Sequence, residues 1–205
     1  MENGFFVKEI KTKTKGKYEV SLEGGEPLIL YGKELNHYNV KEGQILPEQV
    51  HEQIISEVLS KRAIKRAMHL MEKMDRTEHD LRDKLRKNGY PTCCIDAAVA
   101  YLESYHYLDD RRYAENYIRY RQEKESKRIM KQKLMQKGVD SRLIDECLEE
   151  YCESDELELV LYWLRKRKYD PKTADLKEKQ RTYAFLMRKG FSSSLVATAM
   201  RVDAE

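Results

Sequence analysis

The chain has few residues that interrupt helices. Only four prolines and nine glycines occur among 205 residues, and these two residue types most often end regular structure. Charged residues make up 37% of the chain and apolar residues 40%, so a thin core and a highly charged surface are expected. This balance favours small helical units stacked in a row over one compact core.

Cysteine pairs and long apolar runs are also lacking. Cys93 and Cys94 are adjacent, and Cys147 and Cys152 complete the four cysteines without any CxxC spacing, which indicates neither a disulfide framework nor a zinc site. The first ten residues lack the apolar core of a signal peptide, and no run approaches the ~20 apolar residues of a membrane helix. We expect reduced thiols and a cytoplasmic protein that does not bind a membrane.

No motif in the chain indicates catalysis or a bound cofactor. The five histidines lack the i, i+4 spacing of a metal-binding pair, and neither a phosphate-binding loop nor a nucleophile elbow occurs. Asp109 and Asp110 are adjacent carboxylates, but both suit the start of a helix, where they cap amides and interact favourably with the helix dipole. We therefore predict a protein that is not an enzyme, with no catalytic residue, no cofactor and no metal.

The first 47 residues differ in pattern from the rest of the chain. Tyr18, Val20 and Leu22 alternate with polar residues, which is strand periodicity. Residues 28–31 and 5–12 are further strand candidates, the latter pairing through a turn at residues 14–17. These features predict a small β-rich module over residues 1–47, with a helical turn near residue 35.

A repeated pattern dominates the helical remainder. Three segments each carry a leucine four residues before a glycine and an apolar residue directly after that glycine. The three sets are Leu85, Gly89 and Tyr90; Leu134, Gly138 and Val139; and Leu186, Gly190 and Phe191. A recurrence near 50 residues is typical of repeat architectures.

Each of these glycines is predicted to end a helix. The residue at that position turns left-handed, which glycine adopts without a Cβ penalty, and the apolar residue after it contacts the leucine in a Schellman cap. Thr77 and Ser126, each twelve residues before a glycine, suit helix N-caps. Glu178 occupies the equivalent position in the third segment, so the cap there is uncertain. The mainly α fold thus predicted has nine helices in three tandem three-helix repeats, over residues 48–107, 108–153 and 154–205, which form an elongated curved solenoid.

Specific residues in the first two repeats resemble the RecX family. Residues 107–114, Tyr-Leu-Asp-Asp-Arg-Arg-Tyr-Ala, are similar to the signature between its first and second repeats. Further matching positions are Tyr117, Ile118 and Arg121, and Arg76-Thr77 ahead of Leu81, Leu85 and Gly89-Tyr90. His106 stands where the family often has glycine. The resemblance covers residues 63–201 and implies a bacterial regulator of DNA repair and homologous recombination, built of three-helix repeats, that binds the RecA recombinase and restrains its filament on single-stranded DNA.

A tyrosine-rich tract between residues 101 and 120 has two interpretations. Tyrosine rings can stack on nucleic-acid bases, or they can pack between repeats. Tyr113 and Tyr117 are one helical turn apart beside Ala114 and Ile118, which favours packing. Arg121 follows on the same stripe and is interpreted as a structural residue with an acidic or carbonyl partner.

Charge is distributed in blocks. Residues 111–137 contain ten basic and three acidic residues, a net of +7; residues 140–158 contain nine acidic and one basic, a net of −8; and residues 165–189 again carry a net of +7. Dense blocks of like charge favour an external partner. The alternative is a solvated surface balanced by neighbouring helices.

Together these features predict a non-enzymatic regulator. As the resemblance implies, it would bind in the groove of the RecA–DNA filament as a monomer and inhibit recombination and ATP hydrolysis, although the residues themselves are equally compatible with activation. Single- or double-stranded DNA is a further expected partner. The alternative is a helical-repeat nucleic-acid-binding protein that acts without recombinase, against which the acidic block argues. The predicted contact residues are Arg112, Arg119, Lys127, Arg128, Lys131, Lys133, Lys166, Lys168, Lys177, Lys179 and Arg181.

Overall fold

The computed structural model describes residues 3–201, and the chain divides into two compact units, residues 1–109 and 110–205. Residues 1, 2 and 202–205, which belong to the first and last predicted segments, lie outside the described residues. The predicted segment boundaries at residues 47, 107 and 153 stay predictions.

The first unit begins with a four-stranded antiparallel sheet. Its strands are β1 (Gly4–Thr14), β2 (Lys17–Leu22), β3 (Leu28–Tyr31) and β4 (Ile45–Pro47), in the order β3-β2-β1-β4. The three predicted strands are confirmed, and helix α1 (Gly32–His37) is the helical turn expected near residue 35. Strand β4 was not predicted, because it has three residues of which only the middle one is buried, too few to produce a recognisable alternation.

A continuous helical run follows the sheet. It consists of α2 (Glu48–Gln53), a π-helical segment (Ile54–Ser60) and α3 (Lys61–Lys73), and it is followed by α4 (Glu78–Lys87) and α5 (Thr92–Ser104). Val20 and Leu28 of the sheet are buried in the same core as Ile54, Ala67 and Leu85 of the helices. The sheet and the first three-helix repeat therefore share one core.

The second unit contains two further sets of three helices. These are α6 (Asp110–Arg121), α7 (Lys127–Gln136) and α8 (Ser141–Tyr151), then α9 (Glu156–Lys166), α10 (Leu176–Arg188) and α11 (Ser193–Ala199). One core forms around Met130 and Leu134, and another around Leu186 and Phe191. With the run over residues 48–73 counted as one helix, the described chain after residue 47 has the nine predicted helices.

The glycine caps are confirmed. Gly89, Gly138 and Gly190 have φ of +82°, +82° and +88°. The amide after each glycine donates to the carbonyl of the predicted leucine: Tyr90 to Leu85 at 3.3 Å, Val139 to Leu134 at 3.1 Å and Phe191 to Leu186 at 3.4 Å. This is the long hydrogen bond of a Schellman motif.

Three more described helices end in the same way without glycine. Asn39, His106 and Lys168 have φ of +51°, +56° and +54°, and the amides after them donate to the carbonyls of Leu35, Leu102 and Leu164 at 2.9, 2.8 and 3.1 Å. A residue with a Cβ adopts this conformation at a cost of about 1–2 kcal/mol. His106 thus takes the left-handed position at which the family often has glycine.

Side-chain caps begin the middle helix of each repeat. Thr77 Oγ1 accepts from the Asp80 amide at 3.2 Å, and Ser126 Oγ accepts from the Ile129 amide at 3.3 Å. In the third repeat the cap is Asp175, whose carboxylate accepts from the Glu178 amide at 2.6 Å. The cap was not found at the expected spacing because α10 has 13 residues, whereas α4 and α7 each have 10.

Gly190 also allows a close approach between the second and third repeats. A Cβ added there would lie 2.5 Å from both Ser126 Oγ and Ile129 Cγ1. The Ser126 hydroxyl donates to the Lys189 carbonyl at 2.8 Å, so one hydroxyl caps the start of α7 and satisfies the end of α10. The two middle helices therefore meet end to end without room for a side chain.

This contact predicts that Gly190→Ala lowers the free energy of unfolding more than Gly138→Ala does. Both changes place alanine at a positive φ, at a cost of about 1–2 kcal/mol. Gly138 is exposed, whereas Gly190 is buried against Ser126 and Ile129, so Gly190→Ala adds the cost of overpacking, about 1–3 kcal/mol. Chemical denaturation of both variants measures the difference, and equal losses would contradict the close approach.

The second repeat offers a test of its core. Leu134 has no exposed surface, and Leu134→Ala should lower the free energy of unfolding by about 2–5 kcal/mol, because it leaves a cavity as well as losing apolar contacts. Met135, which is 51% exposed on the same helix, provides the control, since Met135→Ala should change stability by less than about 0.5 kcal/mol. A comparable loss in the two variants would show that Leu134 does not carry the core.

Candidate partner-binding surface

The acidic helix α8 neutralises part of the basic second repeat. Lys131 Nζ lies 2.5 and 2.6 Å from the two carboxylate oxygens of Asp145. Arg111 pairs with Glu146 and, at 3.2 Å, with Glu150. The block with a net charge of −8 therefore packs against the block with a net charge of +7. This arrangement supports the alternative of a balanced surface for this part of the chain.

Glu125 holds a second group of charges in place. Its side chain is 11% exposed and lies 2.7 Å from Lys133 Nζ and 3.6 Å from an Arg121 guanidinium nitrogen. The Tyr117 hydroxyl donates to the same carboxylate at 3.3 Å. Burial, together with the negative charge of Glu125, raises the pKa of Tyr117 to about 12. Lys133 is thus a counter-charge to a nearly buried acid, and Arg121 has the acidic partner expected of it.

The other predicted residues of the second repeat differ in their surroundings. Arg119 pairs with Glu115 at 2.9 Å, and its guanidinium lies 5.0 Å from the centre of the Tyr151 ring. Arg112 is exposed on α6. Lys127 and Arg128 are exposed at the start of α7, and neither side chain forms an ion pair with any residue between 3 and 201.

The third repeat presents its cations on helix α10. Lys177, Lys179 and Arg181 are all exposed in the first half of this helix, and within the described chain none of them forms an ion pair. Lys179 borders a concavity of about 660 Å³ that Tyr169 and Tyr183 also line. The structure therefore places one of these cations, Lys179, beside the exposed ring of Tyr183.

Two other predicted residues of this repeat contribute to the local structure. Lys166 Nζ lies 5.1 Å from the centre of the Trp163 ring, and Lys168 occupies the left-handed position at the end of α9. Lys189, whose ammonium is 4.0 Å from the same tryptophan ring, was not among the predicted residues. Cation–π contacts of this kind hold a charge against an aromatic face, but residues 26 positions apart give no local signal of the contact.

The tyrosines of the predicted tract separate into two classes. Tyr113 and Tyr117 pack against the core of the second repeat, so the two rings pack within one repeat and not between repeats as predicted. Tyr105, Tyr107 and Tyr120 are 59%, 52% and 71% exposed. These three rings remain accessible to a partner.

The chemistry available to the described residues is limited. Between residues 3 and 201, no three His, Cys, Asp or Glu side chains are grouped so that they could hold a metal ion. All four cysteines are free thiols, and burial raises the pKa of Cys94 to about 12. Asp110 is the first residue of α6, as expected for a carboxylate at a helix start. None of the helices in this range is long and apolar enough to span a membrane.

The raised pKa of Tyr117 predicts a pH effect on stability. Because the folded protein holds this proton more tightly than the unfolded chain, whose tyrosine pKa is about 10, the contribution of Tyr117 is complete below pH ~10 and is lost as pH rises toward ~12. Tyrosinate absorbance is titrated against pH in the wild type and in Tyr117→Phe. The difference between the two curves should show one group with a pKa near 12. Tyr120→Phe, at an exposed position, is the control. A Tyr117 signal near pH 10 would contradict burial against Glu125.

Comparison with known families identifies each helical repeat. Three models match in order: "RecX, first three-helix domain" over residues 63–102, the second over residues 109–148 and the third over residues 153–200. Helices α6–α8 coincide with the second match and α9–α11 with the third, apart from terminal residues. The sheet lies before the first match.

Similar whole proteins agree with these matches. A regulatory protein RecX of Clostridium acetobutylicum is 27% identical over 205 residues, with 98% of this chain and 96% of that protein covered. One of Clostridium botulinum is 29% identical over 170 residues, covering 78% and 79%. A crystal structure of regulatory protein RecX has a TM-score of 0.62 at 25% identity, covering 95% and 98%. That of RecX from Lactobacillus salivarius has a TM-score of 0.59 at 22% identity, covering 69% and 94%, and supports the fold. The chain belongs to the RecX family.

Proposed function

We propose that the chain is a non-enzymatic cytoplasmic regulator that binds the RecA recombinase filament on DNA and inhibits its ATP hydrolysis and strand exchange. Relatives named regulatory protein RecX support the regulatory role. Stacked helical repeats provide extended surfaces suited to a long filament. The observation that carries the proposal is the set of exposed cations at the start of α10, none of which is ion-paired within residues 3–201.

The contact residues that fit this proposal best are the unpaired ones. A lysine held by a carboxylate must give up that ion pair to bind another anion, which reduces the net gain, whereas an exposed unpaired lysine loses only hydration. Lys177, Lys179 and Arg181 meet this condition in the third repeat, with Lys127 and Arg128 in the second. Arg119, Lys131 and Lys133 already have acidic partners, so we propose them as supporting residues.

The same ion pairs weigh against a protein that acts on nucleic acid alone. Asp145 and Glu146 of α8 lie among the basic side chains of the second repeat. A continuous phosphate track requires an uninterrupted basic groove. A protein surface with both charges provides a better partner for such a mixed face, because each sign can meet its complement. We therefore place the recombinase ahead of bare DNA as the principal partner.

A charge-reversal variant on α10 tests the proposal. Lys177→Glu with Arg181→Glu changes two side chains one helical turn apart, both exposed, and leaves the buried positions of α10 untouched. We expect filament binding to weaken about 10- to 100-fold, as for two contacts worth about 1 kcal/mol each when reversed. Inhibition of RecA-dependent ATP hydrolysis should shift to correspondingly higher protein concentration.

The matched control carries the same change of charge elsewhere. Lys61→Glu with Lys73→Glu alters two exposed lysines of α3, neither of which is ion-paired in the described chain, and should bind like wild type. Circular dichroism checks that both variants fold. A folded α10 variant that inhibits as wild type does would reject α10 as the contact. Wild-type binding to DNA that is unaffected by added recombinase would reject the recombinase as partner.

A further inference from the structure

The first unit contains a basic cleft that the helical repeats do not account for. It lies between the sheet and helix α3 and has a volume of about 500 Å³. Lys17, Ile29 and Tyr31 line it from strands β2 and β3, and Arg62, Lys65 and Arg66 line it from α3. The strand residues lie before residue 63, where the first family match begins. The cleft therefore depends on the sheet as well as on the repeat.

The cations of this cleft exceed the charges that balance them. Arg62 is satisfied, because it pairs with Glu34 and donates to the Ile29 carbonyl at 3.0 Å. Lys17, Lys65 and Arg66 form no ion pair with any described residue, and no carboxylate is among the residues that line the cleft. Three cations from two sides thus face one concavity without a counter-charge from the described part of the chain.

Arg66 is the most informative of the three. Its Nε is buried, and no acceptor in the described chain hydrogen-bonds to it. Burial of a donor without an acceptor destabilises the fold, and a guanidinium presents its donors as a planar fork that fits the oxygens of phosphate. An anion seated in the cleft would supply the missing acceptor.

The walls of the cleft are held in place before any ligand binds. The Arg62 guanidinium lies 4.6 Å from the centre of the Tyr31 ring, and the Tyr90 hydroxyl donates to the Arg62 carbonyl at 3.4 Å. Gly89 brings the end of α4 against the sheet, since a Cβ there would lie 2.9 Å from Ile29 Cγ1. Walls fixed in this way need little rearrangement on binding, which favours affinity.

We propose that this cleft binds the phosphodiester backbone of a single-stranded nucleic acid. One carboxylate would satisfy Arg66 but leave Lys17 and Lys65 unmatched, whereas successive phosphates of a strand can meet all three. A flexible strand can enter a concavity of this size, while a stiff duplex presents a convex surface. Tyr31, 39% exposed, and Tyr90 supply the aromatic neighbours found in sites for single strands. The inference is independent of the proposed filament contact on α10.

The first measurement reads Arg66 directly in the full-length protein without recombinase. The arginine Nε–H resonances are recorded by NMR, and Arg66→Lys assigns the signal of Arg66. Titration with an oligothymidylate should move that signal, because its Nε–H gains a phosphate acceptor. Titrations with inorganic phosphate and with a glutamate-rich peptide distinguish other sources of anion. A shift with phosphate but none with the oligonucleotide, a stronger response to the peptide, or no response at all would each overturn the proposal.

The second measurement compares affinities by fluorescence anisotropy of a labelled oligothymidylate. Lys65→Gln with Arg66→Gln removes two cleft charges, and Lys61→Gln with Lys73→Gln removes two exposed charges of the same helix outside the cleft. We expect about a tenfold weaker binding and a shallower dependence on salt for the cleft variant only, by about 1.4 units of slope, because each cation contributes about 0.7 on a single strand. Equal effects of the two variants would show that only net charge matters, and would reject the cleft as a site.

Discussion

The left-handed residue at the end of a helix is the constraint on which the repeats depend. Among residues 3–201, five helices of the repeats end in this way, at Gly89, His106, Gly138, Lys168 and Gly190, and α1 does so at Asn39. In each, the next amide bonds back to a leucine carbonyl near the end of the helix, so the chain reverses within a few residues and the leucine stays in the core. Apart from the run over residues 48–73, the helices of the repeats have 7 to 13 residues, and short connections of this type let them pack as sets of three. Isolated helices of such length are marginal in water, so the caps and the shared cores stabilise them.

The same chain reversals bring neighbouring elements together. At Gly190 the end of α10 contacts Ser126 and Ile129 of the second repeat, and at Gly89 the end of α4 contacts Ile29 of the sheet. Glycine has two physical roles at these positions, because it accepts the positive φ and leaves no Cβ at the contact. The Gly89 contact also sets Tyr90 beside Arg62, so the shape of the basic cleft follows from a helix cap.

The sequence predicted those features that are determined locally. The caps, the strands β1–β3 and the packing of Tyr113 and Tyr117 each follow from spacing within about a dozen residues. Strand β4 depends instead on pairing with β1, where Phe5 lies opposite Leu46. Lys131 and Lys133 were chosen as contacts because they belong to a basic block, but their acidic partners are 14 and 8 residues away along the chain. The basic cleft was missed because its members come from two strands and two helices that only the fold brings together.

Spacing within a helix nevertheless predicts which cations are paired in several cases. Residues three and four positions apart are neighbours on a helix, and Arg119 and Arg82 pair with acids four positions away. Lys65, Arg66, Arg128 and Lys177 have no carboxylate at either spacing within their own helices, and within the described chain none of them is ion-paired. The net charge of a block does not distinguish paired from unpaired cations, because both count as +1. Cations without an acid one turn away in their own helix are therefore better candidates for partner contacts than cations chosen only because they lie in a basic block. Helical spacing does not predict ion pairs between helices, such as that of Lys131 with Asp145.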